Sequence, residues 1–239
     1  MALFAIGDTH LSFSCEKPMD VFRGWDNYVE RLSANWCARV GDGDTVVIPG
    51  DISWGMSLDE VKEDFAFLNA LPGEKIILKG NHDYWWNTMK KMDTFLADNS
   101  FDSIKLLFNN AYTAQGAAIC GTRGWFFDAA GEDDMKVVRR EAERLERSVE
   151  AAESTGLPVI AFLHYPPVCA DEVCREIYDV IISHGIRRCY FGHLHGSIPS
   201  EYAHTVRDGC EFTLVSADYT GFSPREIIVN PREAAGGGL

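Results

Sequence analysis

No apolar run in this 239-residue chain approaches the roughly 18 residues that a membrane-spanning helix needs, so nothing in it reads as a transmembrane segment. No Cys-x-x-Cys pair occurs among the seven cysteines, and the odd count argues against a disulfide framework or a thiolate zinc knuckle. Cys120 and Cys189 sit inside apolar runs and read as core thiols. Positive charge is scarce: 22 Lys and Arg stand against 36 Asp and Glu, a net charge of -14. A chain this acidic lacks the basic stripe that neutralises phosphate backbones, which argues against nucleic acid and against an anionic membrane as partners. The acidity serves solubility. No cleavable leader is evident, because Met1 to Ile6 runs straight into Asp8-Thr9-His10 and removing it would destroy that motif. These absences together predict a cytoplasmic protein. There is no internal repeat, and low complexity is confined to Ala234-Ala235-Gly236-Gly237-Gly238-Leu239.

What is present is ordinary globular composition, 46% hydrophobic and 24% charged, with 14 Phe and 6 Trp for bulky packing. The length suits one domain over residues 1–231, followed by a flexible tail over 232–239. In the first half, short apolar strands alternate with amphipathic segments. Strands are expected over Leu3 to Ile6, Val46 to Ile48 and Ile76 to Leu78. Helices are expected over Trp25 to Val40, from the capping box Ser57-Leu58-Asp59-Glu60 through Leu71, and over Tyr84 to Ala97. The middle reads differently. Ile104 to Phe108 and Ala117 to Thr122 are strands with no helix between them, in a hairpin or in adjacent sheets. Asp134 to Ser154 is a long charged helix with a narrow apolar stripe, either packed on the surface or serving as a lid or partner face. A strand over Val159 to Leu163, a helix over Glu172 to Ser183 and a strand over Arg188 to Phe191 follow. Later strands are expected around Val206, Phe212 to Val215 and Glu226 to Val229, with Asp208-Gly209 as a hairpin turn. The pattern predicts a mixed α/β fold of two stacked sheets with helices outside.

Five short runs carry the chemistry: Asp8-Thr9-His10, Gly50-Asp51, Gly80-Asn81-His82-Asp83, His164, and Gly192-His193-Leu194-His195-Gly196. Five of the seven histidines lie in them, and most of the runs follow an apolar strand. Asp-x-His and Gly-Asp are weak signals singly, since turns and helix caps use the same residues. Gly-Asn-His-Asp after a buried strand is more specific: a neutral amide oxygen is a modest metal ligand and the histidine beside an aspartate reads as an oriented acid, with a structural turn as the alternative. Two imidazoles alternating between glycines are specific too.

In this order and at strand ends, the five runs resemble the calcineurin-like metallophosphoesterase superfamily, in its group of small prokaryotic phosphohydrolases, over Asp8 to Gly196. The resemblance implies a four-layer α/β/β/α sandwich. It implies two metal ions, divalent or trivalent (manganese, iron, zinc or cobalt), one held by Asp8, His10 and His195 and the other by Asn81, His164 and His193, with Asp51 bridging. It further implies hydrolysis of a small phosphomonoester or phosphodiester by a metal-activated hydroxide, with His82 as leaving-group acid and Asp83 orienting it. A non-catalytic metal-binding scaffold on the same fold and a nuclease are the alternatives.

The departures narrow the family. No Arg soon follows Asp51 and no Glu follows His82, unlike the protein phosphatases of the superfamily. Trp54 stands three residues after Asp51, where purple acid phosphatases have a ligand tyrosine, and an indole cannot ligate. Tyr84-Trp85-Trp86 and Trp125-Phe126-Phe127 are either core packing or the wall of a substrate pocket. Arg123 reads as one half of a surface ion pair, with phosphate contact as the alternative, and His184 and His204 as structural. The expected partner is a small phosphorylated substrate, and the sequence does not set the oligomeric state.

Overall fold

The computed structural model describes residues 1–125 and 131–229. The elements run β1 (Leu3–Ala5), α1 (Tyr28–Arg39), β2 (Thr45–Pro49), α2 (Lys62–Ala70), β3 (Glu74–Leu78), α3 (Met89–Asp98), β4 (Ile104–Leu106), β5 (Tyr112–Ala114) and β6 (Ala117–Thr122). They continue as α4 (Glu132–Glu153), β7 (Val159–Leu163), β8 (Val168–Cys169), β9 (Glu172–Val173), α5 (Arg175–Ser183), β10 (Arg188–Phe191), α6 (Ser200–Ala203), β11 (His204–Arg207), β12 (Cys210–Leu214) and β13 (Arg225–Ile227). A five-stranded sheet has the order β13-β1-β2-β3-β4 and a six-stranded sheet the order β11-β12-β10-β7-β6-β5. In both sheets the central strands are parallel; one edge of the first sheet and both edges of the second are antiparallel.

Strands buried on both faces read as continuous apolar runs, and β2, β7 and β10 do so: Val46-Val47-Ile48, Ile160-Ala161-Phe162-Leu163 and Cys189-Tyr190-Phe191 are all buried. Leu3, Ala5, Val47, Ile76 and Leu78 of the first sheet pack with Ile119, Ile160, Phe162 and Tyr190 of the second. The outer face of the first sheet is covered by α1, α2 and α3 through Leu32, Trp36, Phe65, Leu68 and Met92. That of the second is covered by α4 and α5 through Val138, Leu145, Val149, Ile177 and Ile181. The result is the expected four-layer α/β/β/α sandwich.

The stripe of α4 therefore faces the core. The Asp208-Gly209 turn joins β11 to β12 with both residues in the left-handed region (φ 48° and 79°), as a two-residue hairpin requires. All seven cysteines are free, and Cys120 and Cys189 are fully buried. Among the described residues no helix is long and apolar enough to cross a membrane.

Helix starts differ from the sequence reading: α1 begins at Tyr28 rather than Trp25, α2 at Lys62 rather than at the Ser57 capping box, and α4 at Glu132 rather than Asp134. The helix expected from Tyr84 begins at Met89, because the Trp86 amide bonds to the Asp83 carbonyl and Trp85 is drawn into the core against Phe65. The helix expected from Glu172 begins at Arg175, since Glu172 and Val173 pair with β8 instead. Of the two arrangements left open for Ile104 to Phe108 and Ala117 to Thr122, the structure has adjacent sheets: β4 closes the first, and β6 lies in the second, where it forms a hairpin with β5. The tail over 232–239 and Phe126-Phe127 lie outside the described residues.

Candidate active site

Every run singled out in the sequence follows the carboxyl end of a parallel strand: Asp8 follows β1, Asp51 β2, Asn81 β3, His164 β7 and His193 β10. Ligand sites of α/β sheets form at such ends, where loops from neighbouring strands converge. The two sheets are stitched together there. The Gly7 amide bonds to the Val215 carbonyl at 2.7 Å, and the Ala217 amide returns to Gly7 at 2.9 Å. Asp8, His10, Asp51 and His193 all have positive φ, between 44° and 72°, a region that side-chain-bearing residues rarely occupy. Backbone strain of this kind survives only where surrounding bonds over-determine it, and here they do: Asp8 N–H bonds to Gly50, His10 N–H to the Asp51 carbonyl, and His193 N–H to the Asp8 carboxylate.

The side chains gather into two clusters. Ligand atoms of Asp8, His10 and His195 lie within 4.8 Å of one another, and so do those of Asp51, His164 and His193. Asn81 joins the second, its Oδ1 standing 2.6 Å from His164 Nε2 and 2.8 Å from His193 Nδ1. Asp51 Oδ2 lies between the clusters, 3.8 Å from His10 Nε2 and 3.6 Å from His164 Nε2. Close backbone approach makes this possible. A Cβ on Gly80 would sit 2.1 Å from Asp51 Oδ1, and one on Gly192 would sit 2.3 Å from Asp8 Oδ2.

The donor set fits cations. Burial pushes the Asp8 carboxyl up to about 8 and raises Asp51 as well. Burial also lowers His164 and His193 to about 3 and takes His10 well below its ordinary range. Three of the imidazoles are thus held neutral, the form that ligates, and cannot balance the carboxylates. His10 Nε2 and His195 Nε2 face each other at 3.3 Å, an arrangement that a shared cation relieves. Partners behind the rings fix the tautomers: His164 Nδ1 donates to the Pro49 carbonyl and His195 Nδ1 to Asp218, leaving Nε2 of each pointing inward.

Asp218 escaped the sequence reading. It bonds His195 Nδ1 at 3.0 Å and accepts from Gly196 N–H at 2.8 Å. Although burial opposes ionisation of both groups, these bonds keep Asp218 below its ordinary pKa and raise that of His195. Its only signal in sequence was its place just after the last core strand.

His82 reaches the centre from one side, its Nε2 4.0 Å from Asp51 Oδ2. The expectation that Asp83 orients His82 is corrected by the hydrogen bonds. Asp83 is fully buried and accepts four backbone N–H groups, from Gly80 at 2.7 Å, Ile52 at 2.9 Å, Asp51 at 3.0 Å and Ser53 at 3.3 Å. His82 Nδ1 has no hydrogen-bond partner. The carboxylate saturates amides that the turn after β2 leaves unpaired, and so clamps the loop carrying Asp51. Burial, and then the Asp51 charge, push its own pKa up to about 7.

A pocket of about 420 Å³ opens onto His10, Asp51, His82, His193 and His195, and its remaining wall includes Met19, Phe22, Trp25 and Trp54. Trp54 stacks on His10 (centroids 4.9 Å apart, planes at 19°) and touches His82 (4.4 Å). The other aromatic runs behave differently. Trp85 is core, Tyr84 is exposed, and Trp125 lies under Arg123. Arg123 itself is paired with Glu141 at 3.6 Å, His184 with Glu146 and Glu153, and His204 with Glu211 at 3.6 Å.

The model of the calcineurin-like phosphoesterase family matches residues 1–197. The chain belongs to the calcineurin-like phosphoesterase family. This phosphoesterase is a metal-dependent hydrolase of phosphoric esters, and the residues above include two candidate metal-binding clusters. Its fold is shared by solved structures of low identity. TT1561 of Thermus thermophilus is 12% identical with a TM-score of 0.61, over 95% of this chain and 98% of that one. The phosphopantetheinyl hydrolase PptH of Mycobacterium tuberculosis is 15% identical with a TM-score of 0.55, over 97% of each chain. A protein of unknown function from Aquifex aeolicus is 16% identical with a TM-score of 0.51, over 94% and 95%. No curated protein sequence matches the phosphoesterase.

Proposed function

We propose that the protein is a dinuclear metal-dependent phosphohydrolase acting on a small phosphomonoester or phosphodiester. The observation that carries this reading is the meeting of the two donor clusters at Asp51, with His82 beside them at the mouth of one pocket. Asp8, His10 and His195 would hold one ion, Asn81, His164 and His193 the other, with Asp51 between them; manganese, iron, zinc and cobalt all suit this mixture of imidazole, carboxylate and amide. Bound ions supply Lewis acidity, activating water and neutralising charge on the phosphoryl oxygens. The chain's own residues do the rest. His82 would donate from Nε2 to the departing oxygen. Asp83 keeps the Asp51 loop in place, and Asp218 keeps the His195 ring turned inward. Trp54, Trp25, Phe22 and Met19 offer an apolar wall to the leaving group, which favours esters whose alcohol carries a flat or apolar body. The seven free thiols suit a reducing compartment, and we place the enzyme in the cytoplasm.

The test uses purified protein loaded with manganese. It should hydrolyse p-nitrophenyl phosphate or bis-p-nitrophenyl phosphate, and a panel of natural phosphoesters, a phosphopantetheinyl ester among them, should rank those with apolar alcohols first. His82→Ala should slow alkyl esters by about a hundredfold, the low end for general acid catalysis, and p-nitrophenyl esters far less, because p-nitrophenolate leaves without a proton. An equal loss on both kinds of ester would remove His82 from the acid role. No turnover with any metal or ester would remove the phosphohydrolase reading.

A further inference from the structure

A second cavity, of about 220 Å³, is lined by Lys79, Arg123, Arg140 and Arg144, with Asn109 and Glu141. The charge there is of the opposite sign to the chain's as a whole. Four of the 22 cationic residues meet a single carboxylate, a formal surplus of three positive charges in a protein of net charge -14. Glu141 is almost fully buried and already saturated. Arg144 reaches Oε1 at 2.6 Å, Arg123 stands 3.6 Å from the same oxygen, and the Thr122 hydroxyl donates to Oε2 at 2.6 Å. Lys79 and Arg140 have no carboxylate partner among the described residues, and Lys79 is half-buried. One further donor is buried without a partner, Arg123 Nε. A surplus of converging donors around a cavity this small calls for an anion. Its volume admits a tetrahedral oxyanion together with water.

The cavity shares backbone with the metal centre. Lys79 immediately precedes Gly80-Asn81. The Arg123 carbonyl accepts from His164 N–H at 3.2 Å and from Tyr165 N–H at 2.9 Å.

We propose that this cavity is a second oxyanion site, binding a phosphate-sized dianion through Lys79, Arg123, Arg140 and Arg144. The same chemistry has two sources, free inorganic phosphate and a second phosphoryl group on a bisphosphorylated substrate. The first source is independent of the phosphohydrolase reading; the second rests on it.

Both are tested with the metal-loaded protein and Arg140→Ala, which changes an exposed side chain and should leave thermal unfolding and p-nitrophenyl phosphate turnover unaltered. Equilibrium dialysis against inorganic phosphate should count two phosphates per chain in the parent. In Arg140→Ala one of them should bind about tenfold more weakly, the low end for a lost charged hydrogen bond, and Arg140→Lys should restore most of it. Lys79→Ala gives a second variant with the same expected loss. In the other arm, KM is compared for mono- and bisphosphorylated esters of one skeleton. A preference for the bisphosphate that collapses in Arg140→Ala assigns the site to the substrate. Two bound phosphates with no such preference assign it to free phosphate. One phosphate per chain, together with a KM ratio indifferent to Arg140 and Lys79, overturns the proposal, and because dialysis reads binding rather than turnover, that result differs from a failure of the enzyme to act on phosphoesters.

Discussion

Replacing Asp83 by alanine should unfold the site before it touches the chemistry. The carboxylate accepts four backbone N–H groups, three of them belonging to the consecutive residues Asp51, Ile52 and Ser53. These amides are buried, and no other acceptor is bonded to them. At about 1 kcal/mol per orphaned donor, the low end of the usual range, the loss is about 4 kcal/mol. Part of it is returned, because burial already holds this carboxyl near 7 and its removal relieves that desolvation. A net loss of about 3 kcal/mol remains, which in a chain of this size lowers Tm by roughly 10 °C. Asp83→Asn should fare little better, since its amide nitrogen would face backbone N–H groups. The assay is thermal unfolding combined with metal content by elemental analysis. Asp83→Ala should lose both stability and metal, because the Asp51 loop is released. His82→Ala should keep both and lose only rate. If Asp83→Ala kept the parent Tm and metal content but turned over as slowly as His82→Ala, the clamp would be wrong, and Asp83 would act through His82 as its sequence position first suggested.

Three other perturbations read different parts of the structure. Gly192→Ala would place a Cβ 2.3 Å from Asp8 Oδ2; the displaced carboxylate should cost the Asp8 cluster its metal, seen as about half the metal per chain, while the helical circular dichroism stays at its parent value. Asp218→Ala frees the His195 ring and should weaken metal retention about tenfold in a chelator titration, the low end for loss of a ligand's hydrogen-bonded support; an unchanged affinity would show that the ring needs no anchor. His184 bridges Glu146 and Glu153 at 2.8 Å and 2.9 Å, joining α5 to α4. Burial opposes its protonation, but the two carboxylates prevail and raise its pKa above 6.5. A raised pKa binds the proton more tightly in the folded state, so this stabilisation is complete below the unfolded value and is lost as pH rises through the folded one. His184→Gln should therefore cost up to about 1 kcal/mol in urea unfolding at pH 5.5 and much less at pH 8.5; a loss independent of pH would assign the effect to packing.

What the sequence showed and what it hid divide along the same physical line. Apolar runs ending in Gly, Asp or His are local patterns, so β1, β2, β3, β7 and β10 and the residues that follow them could be read directly, and with them the seven candidate ligands and His82. Helix starts were less legible where tertiary contacts overrule propensity, as at Trp85, which leaves the helical path to pack on Phe65. Least legible was the support of the site. Asp83 neighbours His82 in sequence but serves Gly80 and the Asp51 loop, 30 to 32 residues away. Asp218 serves His195 across 23 residues, and Trp54, noted only for the tyrosine it is not, proves to lie against both His10 and His82. A ligand can be recognised by its type and by the strand before it. A supporting carboxylate is recognised by which backbone amides have no other acceptor, and that depends on how the loops meet. The functional consequence is that substitutions at Asp83 and Asp218, which touch no substrate, should damage the site through the positions of Asp51 and His195, whereas a substitution at His82 should damage only the proton transfer.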